Sequence, residues 1–196
     1  MAATLLSIVS SSCFDEIIVS THPDYLEQTK QVLNTYFPND DFVIAMGGAT
    51  RHDSVENALD LLRNRDIDEQ SLIAIFDGDR PGVSKQLILS SLEKAEECGA
   101  SVVAKPATDS IFLSKDGQQV DRYLDRKEVF QAQTPQTFRL GLLMKAYQEG
   151  EEGTDDASLV ARIWPNIAIV EGNSDNDKIT YPGDLERFEA TRRKPQ

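Results

Sequence analysis

The chain has 196 residues, a formal net charge of -13, 40% hydrophobic and 27% charged residues. That length suits one domain of ordinary soluble composition, and the negative balance argues against a nucleic-acid partner. Two cysteines (Cys13, Cys98) and two histidines (His22, His52) supply neither a disulfide framework nor a zinc cluster, and no apolar run approaches membrane-spanning length, so a cytoplasmic, membrane-free protein is expected.

The residues before Phe14 lack the basic start of a signal peptide and predict an amphipathic helix with Leu5, Leu6 and Val9 on one side. Residues 16–20 predict a strand, Pro23 to Phe37 a helix with proline in its first turn, and residues 42–46 a second strand ending in Gly47-Gly48. Ser54 to Leu62 predicts a helix, with Asp53 and Glu56 at capping-box spacing. The apolar run Ile73 to Phe76 predicts a strand buried on both faces. It ends abruptly in Asp77, Gly78, Asp79, Arg80 and Pro81. Two carboxylates and a guanidinium at a strand's carboxyl end suit a ligand site, because open parallel sheets bind ligands there.

A helix from about Ser84 to Glu97, closed by Gly99, and a strand at 101–105 follow. Residues 106–131, with Pro106, a Lys115-Asp116-Gly117 turn and short polar runs, predict a two-stranded projecting arm. Gln-Thr-Pro-Gln at 133–136 has no generic structural cause and reads as a specific loop. Helices near Leu140 to Glu149 and Asp156 to Ile163, a strand at 167–171 and a helix from Pro182 to Arg192 complete the chain. Thr154 or Asp155 suits a helix cap, and Lys178 falls in a polar turn before a strand-like Ile179-Thr180. The alternation of strand and helix argues for βαβ units and a single domain over 1–196.

The collinear segments GGATRHDSV, FDGDRP, TDSI, LDR, QTPQ, TDDAS and NDKITYPGDL resemble the 2-C-methyl-D-erythritol 4-phosphate cytidylyltransferases and the related pentitol-phosphate cytidylyltransferases over nearly the whole chain. The resemblance implies a Rossmann-like α/β nucleotidyltransferase fold, with a mostly parallel sheet, helices on both faces and a β-arm that interlocks a homodimer. It implies cytidylyl transfer from CTP, carried with magnesium or another divalent cation, to 2-C-methyl-D-erythritol 4-phosphate, an isoprenoid precursor. By that resemblance Lys178, Arg80 and Asp77 are catalytic, Lys178 facing the phosphates. Gly48, Arg51, Ser54 and Gly78 line the nucleotide. Asp77 also holds the acceptor, and Ser110 and Arg126 reach the acceptor phosphate from the partner subunit. No protein ligand to a metal is implied.

The chain departs from the pattern at Phe76 (a histidine in the family), Asp79 (an alanine) and Asp177 (an isoleucine). Carboxylates added beside a phosphate site weaken anion binding unless a cation offsets them. The family's opening central strand and glycine-rich triphosphate loop, roughly LAAGxGxRxG, have no counterpart here, and a truncated record is the preferred explanation. The alternatives are a ribitol 5-phosphate acceptor, or a non-catalytic nucleotide-binding or dimerisation relative. A plastid location would apply in a photosynthetic eukaryote. One lost oxyanion-type donor costs about 3 kcal/mol of barrier, so residues 1–196 alone are expected to release little pyrophosphate from CTP and methylerythritol phosphate; robust release would overturn that expectation.

Overall fold

The computed structural model describes residues 1–149 and 153–192. Helix α1 (Ala2–Ser11) leads to β1 (Ile18–Thr21), a short 3-10 turn at Pro23–Tyr25, α2 (Leu26–Tyr36), β2 (Val43–Met46), α3 (Arg51–Arg63) and β3 (Leu72–Ile75). Helix α4 (Lys85–Cys98) and β4 (Ala100–Pro106) precede an arm made of β5 (Ile111–Leu113) and β6 (Arg122–Leu124). Strand β7 (Phe130–Arg139), α5 (Leu140–Gln148), α6 (Asp156–Val160), β8 (Ile167–Glu171) and α7 (Pro182–Arg192) complete the order.

The main sheet runs β3-β7-β4-β8. β4 pairs parallel with β8, while β7 pairs antiparallel with both β3 and β4, so three strands run one way and β7 opposes them. Alternate residues of β4 and β7 face opposite layers, as the pleat requires. Ala100, Val102 and Phe138 join Leu59, Leu143 and Val160 of α3, α5 and α6. On the other face Val103 meets Leu87 of α4 and Val170 of β8, and the buried Ser91 of α4 bonds to Ser101 (2.9 Å) and Thr137 (2.7 Å). Helix α4 is capped by Ser84, whose side chain accepts from Leu87 N, and ends at Gly99 with φ 86°, where only glycine is unstrained.

β1 and β2 form a separate parallel pair. Between β1 and β3 lies an apolar cleft of about 370 Å³, walled by Leu5 and Ile8 of α1, Ile18, Ile73, and Val55 and Leu62 of α3. This cleft separates the β1–β2 pair from the main sheet. It also corrects the expectation for Ile73 to Phe76. Each residue of β3 is only half-buried, because one edge pairs with β7 and the other opens on the cleft.

Other expectations also change. Gln133 to Gln136 is not a loop but lies inside β7, with Pro135 where the pairing to β4 shifts register between Val102 and Ala104. Helix α1 buries Thr4, Leu5, Ile8 and Ser11, and Leu6 is exposed. Helix α3 begins at Arg51 through a reciprocal Thr50–Asp53 cap, one turn before the expected Asp53–Glu56 pair. Helix α6 ends at Val160, and Ile179-Thr180 forms no strand. The arm, its turn through Gly117, β8 and α7 stand as expected. No helix among the described residues is long and apolar enough to cross a membrane.

Ile73 and Phe138 face each other across β3 and β7, and Phe138 is wholly buried. Phe138→Ala is expected to cost about 3–5 kcal/mol and Ile73→Ala below about 2, because the cleft already exposes Ile73. Urea midpoints of the two variants check this.

Candidate active site

The site forms where β3 gives out. The Asp77 backbone N–H donates to Thr134 Oγ1 at 3.1 Å, and Arg80 N–H returns to Asp77 O at 3.2 Å, folding the corner tightly. Three cations converge on the Asp77 carboxylate. Arg51 Nε, from the first turn of α3, lies 3.2 Å from Oδ1; Arg80 Nε lies 3.1 Å from Oδ2; Lys178 Nζ stands at 3.8 Å. Burial pushes the Asp77 carboxyl up, but Arg51, then Lys178 and Arg80, outweigh it and hold the group below the ordinary value of 3.8.

Arg51 is itself held from behind. Its Nη2 donates to Asp156 Oδ2 at 2.7 Å, and Tyr147 OH donates to Asp156 Oδ1 at 2.6 Å. Asp156 is completely buried at the start of α6. Burial alone would ease a proton off Arg51; Asp156 and Asp77 reverse that and hold the guanidinium more firmly protonated than usual. Burial and the Asp156 charge push the Tyr147 phenol up, so it stays a donor. The Tyr147 ring stacks on His52 at 4.6 Å.

Strand β7 anchors the remaining pieces. Gln136 donates to Asp155 (2.7 Å) and accepts from Ala157 N–H (2.8 Å), fixing the start of α6. Asp155 caps that helix with Ser158, as one of the two expected cap residues. Gln133 donates to Asn173 O and Asp177 Oδ1, and Asn176 donates to Thr134 O at 2.8 Å, seating the loop that carries Lys178. Arg80 Nη1 donates to Asn176 O, and a Cβ on Gly82 would lie 1.6 Å from Asp175 O, so only glycine lets these two loops meet. Asp177 is taken by Lys105 at 2.6 Å, which neutralises this added carboxylate.

Of the residues singled out from sequence, Asp77, Arg80, Lys178 and Arg51 form one cluster. Gly48 and Ser54 lie at the start of α3. Gly48 N–H donates to Ser54 Oγ at 3.0 Å, and a Cβ on Gly48 would strike Asp53 at 2.1 Å, so both residues have a local structural duty. Gly78 is exposed at the corner, with its carbonyl accepting from Thr4 at 2.8 Å. Ser110 and Arg126 sit at the base of the arm, where Arg126 donates to Thr108 O; among the described residues neither bonds to the Asp77 cluster. Thr134, Gln136 and Asp156 fall in the QTPQ and TDDAS segments with no role assigned to them from sequence, and Tyr147 was missed. The unexplained Gln-Thr-Pro-Gln run was the only signal for the first two, and Asp156 was hidden beside an obvious cap.

A family model described as "IspD: 2-C-methyl-D-erythritol 4-phosphate cytidylyltransferase" matches residues 1–194. A protein of that name from Bacillus velezensis is 38% identical over 187 residues, covering 93% of this chain and 78% of that protein. One from Acidobacterium capsulatum is 34% identical, with the same coverages. The crystal structure of 4-diphosphocytidyl-2C-methyl-D-erythritol synthase from Anaerococcus prevotii superposes with a TM-score of 0.85 at 26% identity, covering 98% of this chain and 85% of that one. The Thermus thermophilus 2-C-methyl-D-erythritol 4-phosphate cytidylyltransferase gives 0.76 at 31% identity, with 97% and 87% covered.

Asp156→Asn keeps the shape but removes one of the two counter-charges of Arg51, which stays paired with Asp77 and is partly open to solvent, so the cost is expected to be about 1–3 kcal/mol. Tyr147→Phe keeps the His52 stack and removes one hydrogen bond, costing about 1–2 kcal/mol; urea midpoints check both. The folded-state pKa of Asp77 is depressed, so its stabilisation is present at neutral pH and lost as pH falls below about 4 through the folded value. Asp77→Asn is therefore expected to be less stable than wild type at pH 7, with the difference shrinking towards pH 3; a constant difference would refute this.

Proposed function

The chain belongs to the 2-C-methyl-D-erythritol 4-phosphate cytidylyltransferase family, and from that premise we propose that it serves the transfer of CMP from CTP to 2-C-methyl-D-erythritol 4-phosphate, with pyrophosphate leaving. The observation that carries this reading is the corner itself, where three cations meet one largely buried carboxylate at a strand's carboxyl end. An acceptor phosphate oxygen attacks the α-phosphorus of CTP, forming a P–O bond as the bond to the pyrophosphate oxygen breaks. The nucleophile is already an anion, so the chemistry needs in-line positioning and charge neutralisation rather than a base.

In this proposal Asp77 organises the cations. Lys178, the more exposed of them, faces the phosphates, and Arg80, whose Nε and Nη1 serve Asp77 and Asn176 O, stiffens the corner. Arg51, with Gly48, Ser54 and Gly78, lines the nucleotide side. Magnesium or another divalent cation enters as part of the CTP substrate. The donor set supports this, because both oxygens of Asp77 are already spent on Arg51 and Arg80.

We further propose a homodimer through the arm, with Ser110 and Arg126 reaching the partner's acceptor phosphate. Its support is the apolar surface of this thin hairpin, where Phe112 and Tyr123 meet edge to face while 48% and 67% exposed.

Calorimetric titration is expected to show methylerythritol phosphate binding more tightly than ribitol 5-phosphate, with Arg126→Gln weakening it about tenfold or more. Equal or tighter ribitol phosphate binding would overturn the acceptor assignment. Sedimentation as a monomer would overturn the dimer.

A further inference from the structure

We infer that Asp79 is a resident counter-ion for Lys178, a carboxylate that holds the lysine until a phosphate draws it away. The inference rests on the phosphate-facing reading of Lys178. Asp77 cannot be the main partner of that lysine, since its two oxygens already take Arg51 and Arg80 at 3.2 and 3.1 Å, and Lys178 stands off at 3.8 Å. The nearer carboxylate is Asp79, with Oδ2 at 3.4 Å from Lys178 Nζ. That distance is an ion pair rather than a close hydrogen bond, and both side chains are partly open to solvent, at 42% and 44% exposure. Pairs of this kind are weak and screened by salt, and a multiply charged phosphate outcompetes a single carboxylate for an ammonium.

The short Asp79 side chain, on a backbone fixed in the corner, has less reach than the long lysine side chain. The Asp79 backbone carbonyl accepts from Ile179 N–H at 2.9 Å, and the next residue, Arg80, is buried. Its Oδ1 is buried without a hydrogen-bond partner, so the carboxylate gains nothing there to offset loss of the pair. The local charge is also even. Arg51, Arg80 and Lys178 face Asp77, Asp79 and Asp156, three positive against three negative. Asp156 and Asp77 are buried behind hydrogen bonds. Asp79 is the one member of the negative set that can be neutralised without unpicking that network. Asp79 therefore sets how strongly the corner attracts a phosphate.

Inorganic pyrophosphate is the probe, titrated calorimetrically at low salt into wild type, Asp79→Asn, Lys178→Gln and the double variant, with thermal melts confirming that each folds. Asp79→Asn is expected to bind pyrophosphate about three- to tenfold more tightly, with the gain shrinking at high salt and vanishing on the Lys178→Gln background. Asp79→Ala must reproduce the gain. Unchanged, weaker or undetectable binding in Asp79→Asn would overturn the inference, and so would a gain that survives Lys178→Gln. The Lys178→Gln background isolates this contact from the other cations of the corner. Failure of the methylerythritol phosphate titration, with the pyrophosphate gain intact, would instead count against the proposed function.

Discussion

Four buried polar side chains on one strand have to find partners, and much of the site follows from where they find them. Gln133, Thr134, Gln136 and Thr137 are nearly or wholly inaccessible in β7. Buried amides and hydroxyls left unpaired cost about 1–3 kcal/mol each. Thr137 spends itself on Ser91 and so fixes α4. The other three reach the Asp77 corner, the start of α6 and the loop before Lys178. A strand that would otherwise be simple core thereby sets the mutual placement of three loops distant in sequence.

Charge does the rest. Asp77 and Asp156 are too enclosed to stand alone as anions, and Arg51 spans both, with Nε on one and Nη2 on the other. The guanidinium fork suits that double duty in a way a lysine ammonium would not. Removing water from these pairs is costly, so the arrangement is better understood as orientation than as a large gain in stability. Arg51 is held at both ends before any ligand arrives.

Local rules were legible in the sequence where they act alone. Ser84 and Gly99 bracket α4, Gly117 turns the arm, and β8 and α7 lie where their patterns put them. Asp77 and Arg80 stood out as charged residues at a strand end, whereas Arg51 and Lys178 took their roles from the family resemblance. What escaped was non-local. Nothing near residue 133 says that β7 inserts between β3 and β4, so its buried glutamines looked like loop residues. Asp156 resembled its capping neighbour Asp155, and only the fold brings Tyr147 and Arg51 to it. Asp177 and Asp79 looked alike as added charge, yet Lys105 neutralises the first. The half-exposure of β3 depends on the cleft beside it, which no pattern within Ile73 to Phe76 encodes.

The contact at Gly82 has a mechanical meaning. Its α-carbon lies so close to the Asp175 carbonyl that the two loops interlock like gear teeth, and Arg80 with Asn176 adds a second tooth. Neither loop can swing while the other stays still. Breathing of the site would therefore carry the Asp77 corner and the Lys178 segment as one jaw, preserving the spacing between them.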